Sequence, residues 1–264
     1  MSVGSSMARC SVLDISNPAN YWMDSSNITL NTNVSTQSVL HLDYGFLGFQ
    51  GISADSTSTM RTWASLPTIG FNVTWESSSK VLFNAGSAMF WFGSSGNTHE
   101  WSMPAGITSG TLTLNGTQEI SIDSANSLTW YDRQWGYAGP FGGNWTWFEL
   151  HFKDDTKASI WAIDQGDAIK RFATVRTDMG THVLSYDLLA DWSNTWTSDC
   201  SGKTYPLSWT LRFQNGEELH MESIRDDQEL CNVGQEAAYE GFIIASGSVL
   251  GKKPAFGLVE MTAA

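Results

Sequence analysis

The sequence is short of charge, and shorter still of positive charge. Only 16% of its 264 residues are Asp, Glu, Lys or Arg, and 14 basic residues face 27 acidic ones, for a net charge of −13. No cluster of Lys and Arg is present, and neutralising a phosphate backbone needs one, so nucleic acid is excluded as a partner. No apolar run reaches the ~20 residues of a membrane-spanning helix, so no membrane span is expected. No basic start is followed by an apolar segment, so no signal peptide is expected. The first residues, Met1-Ser2-Val3-Gly4-Ser5-Ser6, read as an unstructured start. The chain also lacks a Gly-x-Ser-x-Gly elbow, a phosphate-binding loop, a dinucleotide fingerprint and metal-ligand spacing. No long stretch carries a helical period.

What it has in quantity is short alternating segments and tryptophan. The hydrophobic content of 41% supports a sizeable core. Val39, His41 and Asp43 alternate with Leu40, Leu42 and Tyr44. Phe71–Trp75, Ala88–Phe92, His99–Met103, Ala158–Ile163, Arg171–Arg176, Thr181–Tyr186, Glu240–Gly247 and Phe256–Met261 read as further strands. Asn115-Gly116 and Asn215-Gly216 each sit between alternating runs, the strongest local hairpin signal, because both residues tolerate positive φ. The class expected is all-β, with little helix: two packed β-barrel or sandwich halves. Residues 1–20 are expected to be an N-terminal arm, 21–126 a first half and 127–264 a second.

Five acceptor triplets for N-glycosylation, at Asn27, Asn33, Asn72, Asn115 and Asn144, point to the secretory pathway or the extracellular space. Cys200 and Cys231 flank an expected hairpin and are either a disulfide or two buried thiols; pairing leaves Cys10 odd.

Two aromatic runs organise the chain. In Trp130-Tyr131-Asp132-Arg133-Gln134-Trp135, strand alternation puts Trp130, Asp132 and Gln134 on one face and Tyr131, Arg133 and Trp135 on the other. In the run from Asn144 to Phe152, Trp145, Trp147, Glu149 and His151 share a face. Indoles and ionisable groups on one face mean either a chemically active interior or a buried ion-pair network. A carboxyl in an indole-lined site has its pKa raised and can hold a proton near neutral pH. Indole faces stabilise a nearby cation.

These runs, with Arg171–Arg176, Tyr205–Trp209, Arg225–Glu229, Tyr239–Phe242 and Gly257–Met261 in that order, resemble the lipocalin-like superfamily of carotenoid hydratase, kievitone hydratase and the fungal Diels–Alder cyclases. The resemblance runs from about residue 86 to the end. It implies two lipocalin-like domains with a ligand cavity, no metal, no organic cofactor, and a hydrophobic terpenoid- or polyketide-like substrate. In the hydratases a His-x-Trp pair and a Tyr-x-Asp pair are tied to proton delivery. His99-Glu100-Trp101 matches the first; Trp130-Tyr131-Asp132 keeps the Asp of the second but has Trp for its Tyr. Asp132, His99 and Trp101 are therefore the expected catalytic residues. Trp130, Gln134, Trp145, Trp147, Glu149 and His151 are the expected substrate wall. The leading expectation is a cofactor-free Diels–Alder or hetero-Diels–Alder cyclase, since a pericyclic step needs mainly orientation. The alternative is a hydratase acting on a prenyl double bond. A non-catalytic carrier of a hydrophobic metabolite is the alternative of another class, and a glycan-binding sandwich a weaker one.

Overall fold

Strand follows strand along the chain, as the alternating pattern requires. The computed structural model describes residues 6–28, 39–94, 96–137, 144–165, 168–231 and 237–262, and among these the only helical piece is the 3-10 turn Asn84–Gly86. Contacts divide the chain into two compact units: residues 1–80 with 103–131, and residues 81–102 with 132–264.

In the first unit, Ser6–Leu13 pairs with Tyr21–Ile28, in register from Ser6↔Ile28 to Leu13↔Tyr21. The expected arm is therefore largely one strand of a hairpin. Asp14 builds its turn by accepting hydrogen bonds from the Ser16 and Asn17 backbone and from Asn20 Nδ2. Asp24 ties this hairpin to the rest of the unit by accepting from Thr68 N, Thr68 Oγ1 and Ile69 N at 2.6–2.8 Å. A six-stranded antiparallel sheet follows, in the order Gln118–Ser121, Gly106–Leu114, Ile69–Ser77, Thr59–Ser65, Leu47–Gly51 and His41–Asp43. The first Asn-Gly turn is where it was expected, with Asn115 and Gly116 both at positive φ.

The second unit is built on one long antiparallel sheet. Its path runs Gly180–Leu184, Ala168–Thr177, Lys157–Gln165, Asn144–Phe152, Pro254–Thr262, Ala238–Gly247, Glu218–Ser223, Ser208–Phe213 and Tyr186–Ala190. The two end strands of this path are separated in sequence by Ser185 alone. Consecutive Cα atoms lie about 3.8 Å apart, so the two edge strands meet at that corner and the sheet curls into a nearly closed barrel. Every second side chain points inward. Phe148, Leu150, Ile160, Val175, Tyr186, Trp209, Leu211, Leu219, Ile243, Val259 and Met261 fill the barrel as one buried core.

A smaller sheet accompanies the barrel: Tyr131–Gly136, Asn97–Met103 and Leu82–Phe83, with Met89–Trp91 also paired to Asn97–Met103. It lies on the barrel's outer wall. Phe90 packs on Trp161 and Phe172, Phe92 packs on Trp145 and Trp161, and the Ala85 amide donates to Thr174 Oγ1. Cys200 and Cys231 form a disulfide, and Cys10 is free.

Candidate active site

Alternation along Asn144–Phe152 sends Phe148, Leu150 and Phe152 into the barrel and Trp145, Trp147, Glu149 and His151 to its outer wall. This outer face is buried as well. Register extends it across neighbouring strands. Trp147 is level with Trp161 and Glu260, Glu149 with Ser159 and Leu258, and His151 with Lys157 and Phe256. Trp147 Nε1 donates to Ser159 Oγ at 2.8 Å, and the Trp161 ring lies 5.6 Å from that of Trp145 and 6.1 Å from that of Trp147. The expected indole-lined region thus exists, but outside the barrel and beneath the small sheet, because the interior is filled by the other face of the same strands.

Carboxyls crowd this wall. Glu149 is 6% exposed, and Glu100, from the small sheet, is 2% exposed. Burial pushes both well above the ordinary glutamate range, and the nearby charges of Asp132 and Glu260 push them further. The Trp161 indole N–H lies close to Glu100 and offsets this in part without making a full hydrogen bond; Glu100 Oε2 has no hydrogen-bond partner among the described residues. Both effects favour the protonated form of the two glutamates. Asp132 and Glu260 are half-buried. His151, stacked on Phe256, is pushed down to about 4 by burial and then by Lys157, so it is neutral.

The expected catalytic residues do not all meet. Asp132 stands within electrostatic reach of Glu100 and Glu149. In Asn97–Met103 the burial alternates, with Thr98, Glu100 and Ser102 buried and His99 and Trp101 half-buried on the opposite face. His99 stacks on Trp135 at 5.4 Å and an interplanar angle of 14°. Gln134 is exposed, and Trp130 is half-buried, in the first unit, just ahead of its strand. The sequence reading missed Glu100, Glu260 and Trp161. Glu100 lay inside the quoted His-x-Trp run, and alternation alone would have set it on the face opposite His99. The group of potential metal ligands found among the described residues is Cys200, Glu229 and Cys231. Its sulfurs are joined to each other, and Glu229 accepts hydrogen bonds from Ser198, Ser201 and Tyr205.

A nearly closed antiparallel barrel, with buried carboxyls of raised pKa and indoles on its wall, defines a lipocalin-like β protein. The chain belongs to the AttH-like family, whose model matches residues 7–264. It is 38% identical over 240 residues to a kievitone hydratase of Fusarium solani subsp. phaseoli, covering 89% of this chain and 68% of the relative. It is 38% identical over 228 residues to the dehydratase asqC of Emericella nidulans, covering 81% of this chain and 64% of the relative. The crystal structure of a kievitone hydratase from Nectria haematococca superposes with a TM-score of 0.88 at 32% identity, over 99% of this chain and 81% of that one. An AttH structure from Nitrosomonas europaea, at 19% identity and a TM-score of 0.77, shares the fold. The curated relatives mark the chain as an enzyme of hydratase–dehydratase kind or closely related to it. None of these relatives is named for a Diels–Alder addition.

Proposed function

We propose that this chain adds water across a carbon–carbon double bond of a small apolar molecule, such as a prenyl side chain, or removes water to form one. The observation that carries the reading is the pair Glu100 and Glu149, buried and pushed toward the protonated form beside Asp132 and Glu260. Protonating an alkene needs a carboxylic acid that still holds its proton at working pH. In the proposed step Glu149 gives its proton to one alkene carbon. The cation at the other carbon is stabilised by the indole faces of Trp147 and Trp161 and by the two carboxylates. Asp132 takes a proton from the attacking water as the new C–O bond forms, and the protons are redistributed among the carboxyls. Dehydration is the reverse sequence. Leu258, 41% exposed and level with Glu149, adjoins Phe242 and the Phe256 ring stacked on it, and together these offer an apolar wall for the substrate. The names of the two curated relatives support the reaction class.

A pericyclic addition would use the same neutral carboxyl as a hydrogen-bond donor to a carbonyl. The two readings separate in 18O-labelled water with a prenylated phenol as substrate. Hydration puts the label into a product one water heavier; an intramolecular cyclisation leaves mass and label unchanged. Glu149→Gln is expected to lower turnover by about 10²–10⁴-fold, the usual worth of a positioned general acid. Wild-type rates in both Glu149→Gln and Glu100→Gln would end the proposal.

The disulfide and the exposed acceptor asparagines Asn27, Asn72, Asn115 and Asn144 support a secretory-pathway or extracellular location. Asn33 lies outside the described residues. A mass shift on treatment of the natively expressed protein with peptide N-glycosidase tests it.

A further inference from the structure

Strand by strand, the outer wall of the barrel continues past the carboxyls into a trough. Register carries one outward row from His151 through Phe256, Ile244 and Glu222 to Ser208, and a second from Ser246 through His220 and Thr210 to Leu189. The trough lies over the strand Ser208–Phe213, whose outward side chains Ser208 and Thr210 are small. Leu189 and Asp191 flank it on one side, and His220 and Glu222 on the other. Together with Ile244 and Ser246 they bound a groove of about 300 Å³, at the lower end of the range typical of small-molecule sites. The alternate residues of the same strands, Trp209, Leu211, Leu219 and Met221, fill the barrel core, so the groove is on the outside of the barrel.

The side chains of the groove select the ligand. Ser208, Thr210 and Ser246 offer hydroxyls, which both donate and accept, and Glu222 offers a carboxylate, which accepts. Asp191 is already held by the Ser193 amide and hydroxyl, so Glu222 is the main acceptor. The Thr210 hydroxyl meets His220 Nδ1 at 3.1 Å and so orients the imidazole. No lysine or arginine is among the described residues lining the groove, and Arg212, one row further on, donates to Glu218 at 2.7 Å. An anion would face two carboxylates with no cation to balance them, so the groove disfavours it. A neutral ring bearing several hydroxyls fits: it donates to Glu222, accepts from the serine and threonine hydroxyls, and rests its C–H faces on Leu189 and Ile244, which are 45% and 49% exposed.

From Ile244 an apolar strip leads back toward the acid. Ile244 is level with Phe256, and Phe242 is level with Leu258, itself level with Glu149. The Phe242 and Phe256 rings stack at 5.8 Å and join the two rows. The strands of Glu149 and Glu222 are separated by two others, Pro254–Thr262 and Ala238–Gly247. At about 4.8 Å per strand, the groove begins about 14 Å from the acid.

We propose that the groove seats the neutral, hydroxyl-rich ring of an amphipathic substrate whose apolar tail crosses Ile244, Phe242 and Leu258 to reach Glu149. The destination of the tail rests on the hydratase–dehydratase reading; the seat of the ring does not. The probe is n-octyl β-D-glucopyranoside, which joins such a ring to an apolar chain. Titrated calorimetrically into the full chain below its micelle-forming concentration, it is expected to bind saturably, one to one. Thr210→Trp, which fills the groove, should weaken binding by about tenfold or more, and Glu222→Ala by about three- to tenfold, the usual worth of a charged acceptor. Glu222 is on the surface, so its variant remains informative if Thr210→Trp does not fold. n-Octyl sulfate, with the same chain and an anionic head, should bind at least about tenfold more weakly. Absence of saturable glucoside binding, wild-type affinity in the folded groove variants, or equal or tighter binding of n-octyl sulfate or n-octyltrimethylammonium would each overturn the proposal. Lost turnover in Glu149→Gln without glucoside binding would end the groove assignment alone. Glucoside binding with wild-type turnover in Glu149→Gln and Glu100→Gln would end the acid chemistry and, with it, the path of the tail.

Discussion

Three buried ionisable side chains, Glu149 and His151 on the barrel's outer wall and Glu100 on the small sheet over it, make stability depend on pH. Glu100 and Glu149 have folded pKa values raised above the ordinary 4.5. The folded state therefore holds protons that the unfolded chain releases, and their contribution, complete below 4.5, is lost as pH rises through the folded values. Glu149→Gln removes one of these titrations, so its melting temperature should fall less than that of the wild type as pH rises from 4.5. His151 acts in the opposite sense. Its folded value of about 4 lies below the ordinary 6.5, so its contribution is present above 6.5 and is lost as pH falls toward 4. The shift corresponds to roughly 3 kcal/mol at most. Melting curves of His151→Gln should show a flatter acid limb than the wild type; an identical acid limb would contradict the assignment. Trp147 and Ser159 form the buried polar pair of the same wall. Trp147→Phe keeps most of the ring and strands the Ser159 hydroxyl, for an expected loss of about 1–3 kcal/mol in denaturant unfolding.

At the scale of strands, the wall depends on close approach. Gly257 lies in Pro254–Thr262, opposite Leu150, and a Cβ there would meet the Glu149 carbonyl oxygen at 1.9 Å. Backbone cannot give way as a flexible side chain can. Gly257→Ala should cost about 1–3 kcal/mol and displace the strand that carries Glu149. Loss of stability together with reduced turnover is the expected readout, and a neutral effect on both would show that the strands separate more easily than their packing implies. Asn97–Met103 shows how one strand serves two faces. Glu100 meets the barrel wall, while His99 and Trp101, one residue to either side, face the other way and His99 rests on Trp135.

For the whole molecule, the second unit is held by barrel closure and by one covalent tie. Cys200–Cys231 closes a sequence separation of 31 residues, and a loop of that size is worth about 3–4 kcal/mol in the chain-entropy account. Cys200→Ala with Cys231→Ala should lower the unfolding free energy by about that amount. It should also loosen the segment between Asp191 and Leu207, which carries Cys200, more than the carboxyl wall, which hydrogen exchange would resolve. Equal protection of that segment in both proteins would show that its hairpin, Thr195–Thr197 with Thr204–Pro206, and the hydrogen bond from Tyr205 to Glu229 suffice to hold it.

The all-β class, the hairpins at Asn115-Gly116 and Asn215-Gly216, and the shared face of Trp145, Trp147, Glu149 and His151 were legible in the residue order. Each rests on local physics: period-two alternation and the positive φ that a tight turn demands. The order of residues likewise placed Glu100 and His99 on opposite sides of any strand containing both. It could not say which strands lie beneath a given face. That Asn144–Phe152 turns its phenylalanines into the barrel and its tryptophans outward follows from closure, which brings strands far apart in sequence side by side. That Glu100, Asp132, Glu149 and Glu260 come together, and that the pKa values of Glu100 and Glu149 are raised, depends on burial and on charges from four separate stretches of chain. Only the tertiary structure brings those stretches together.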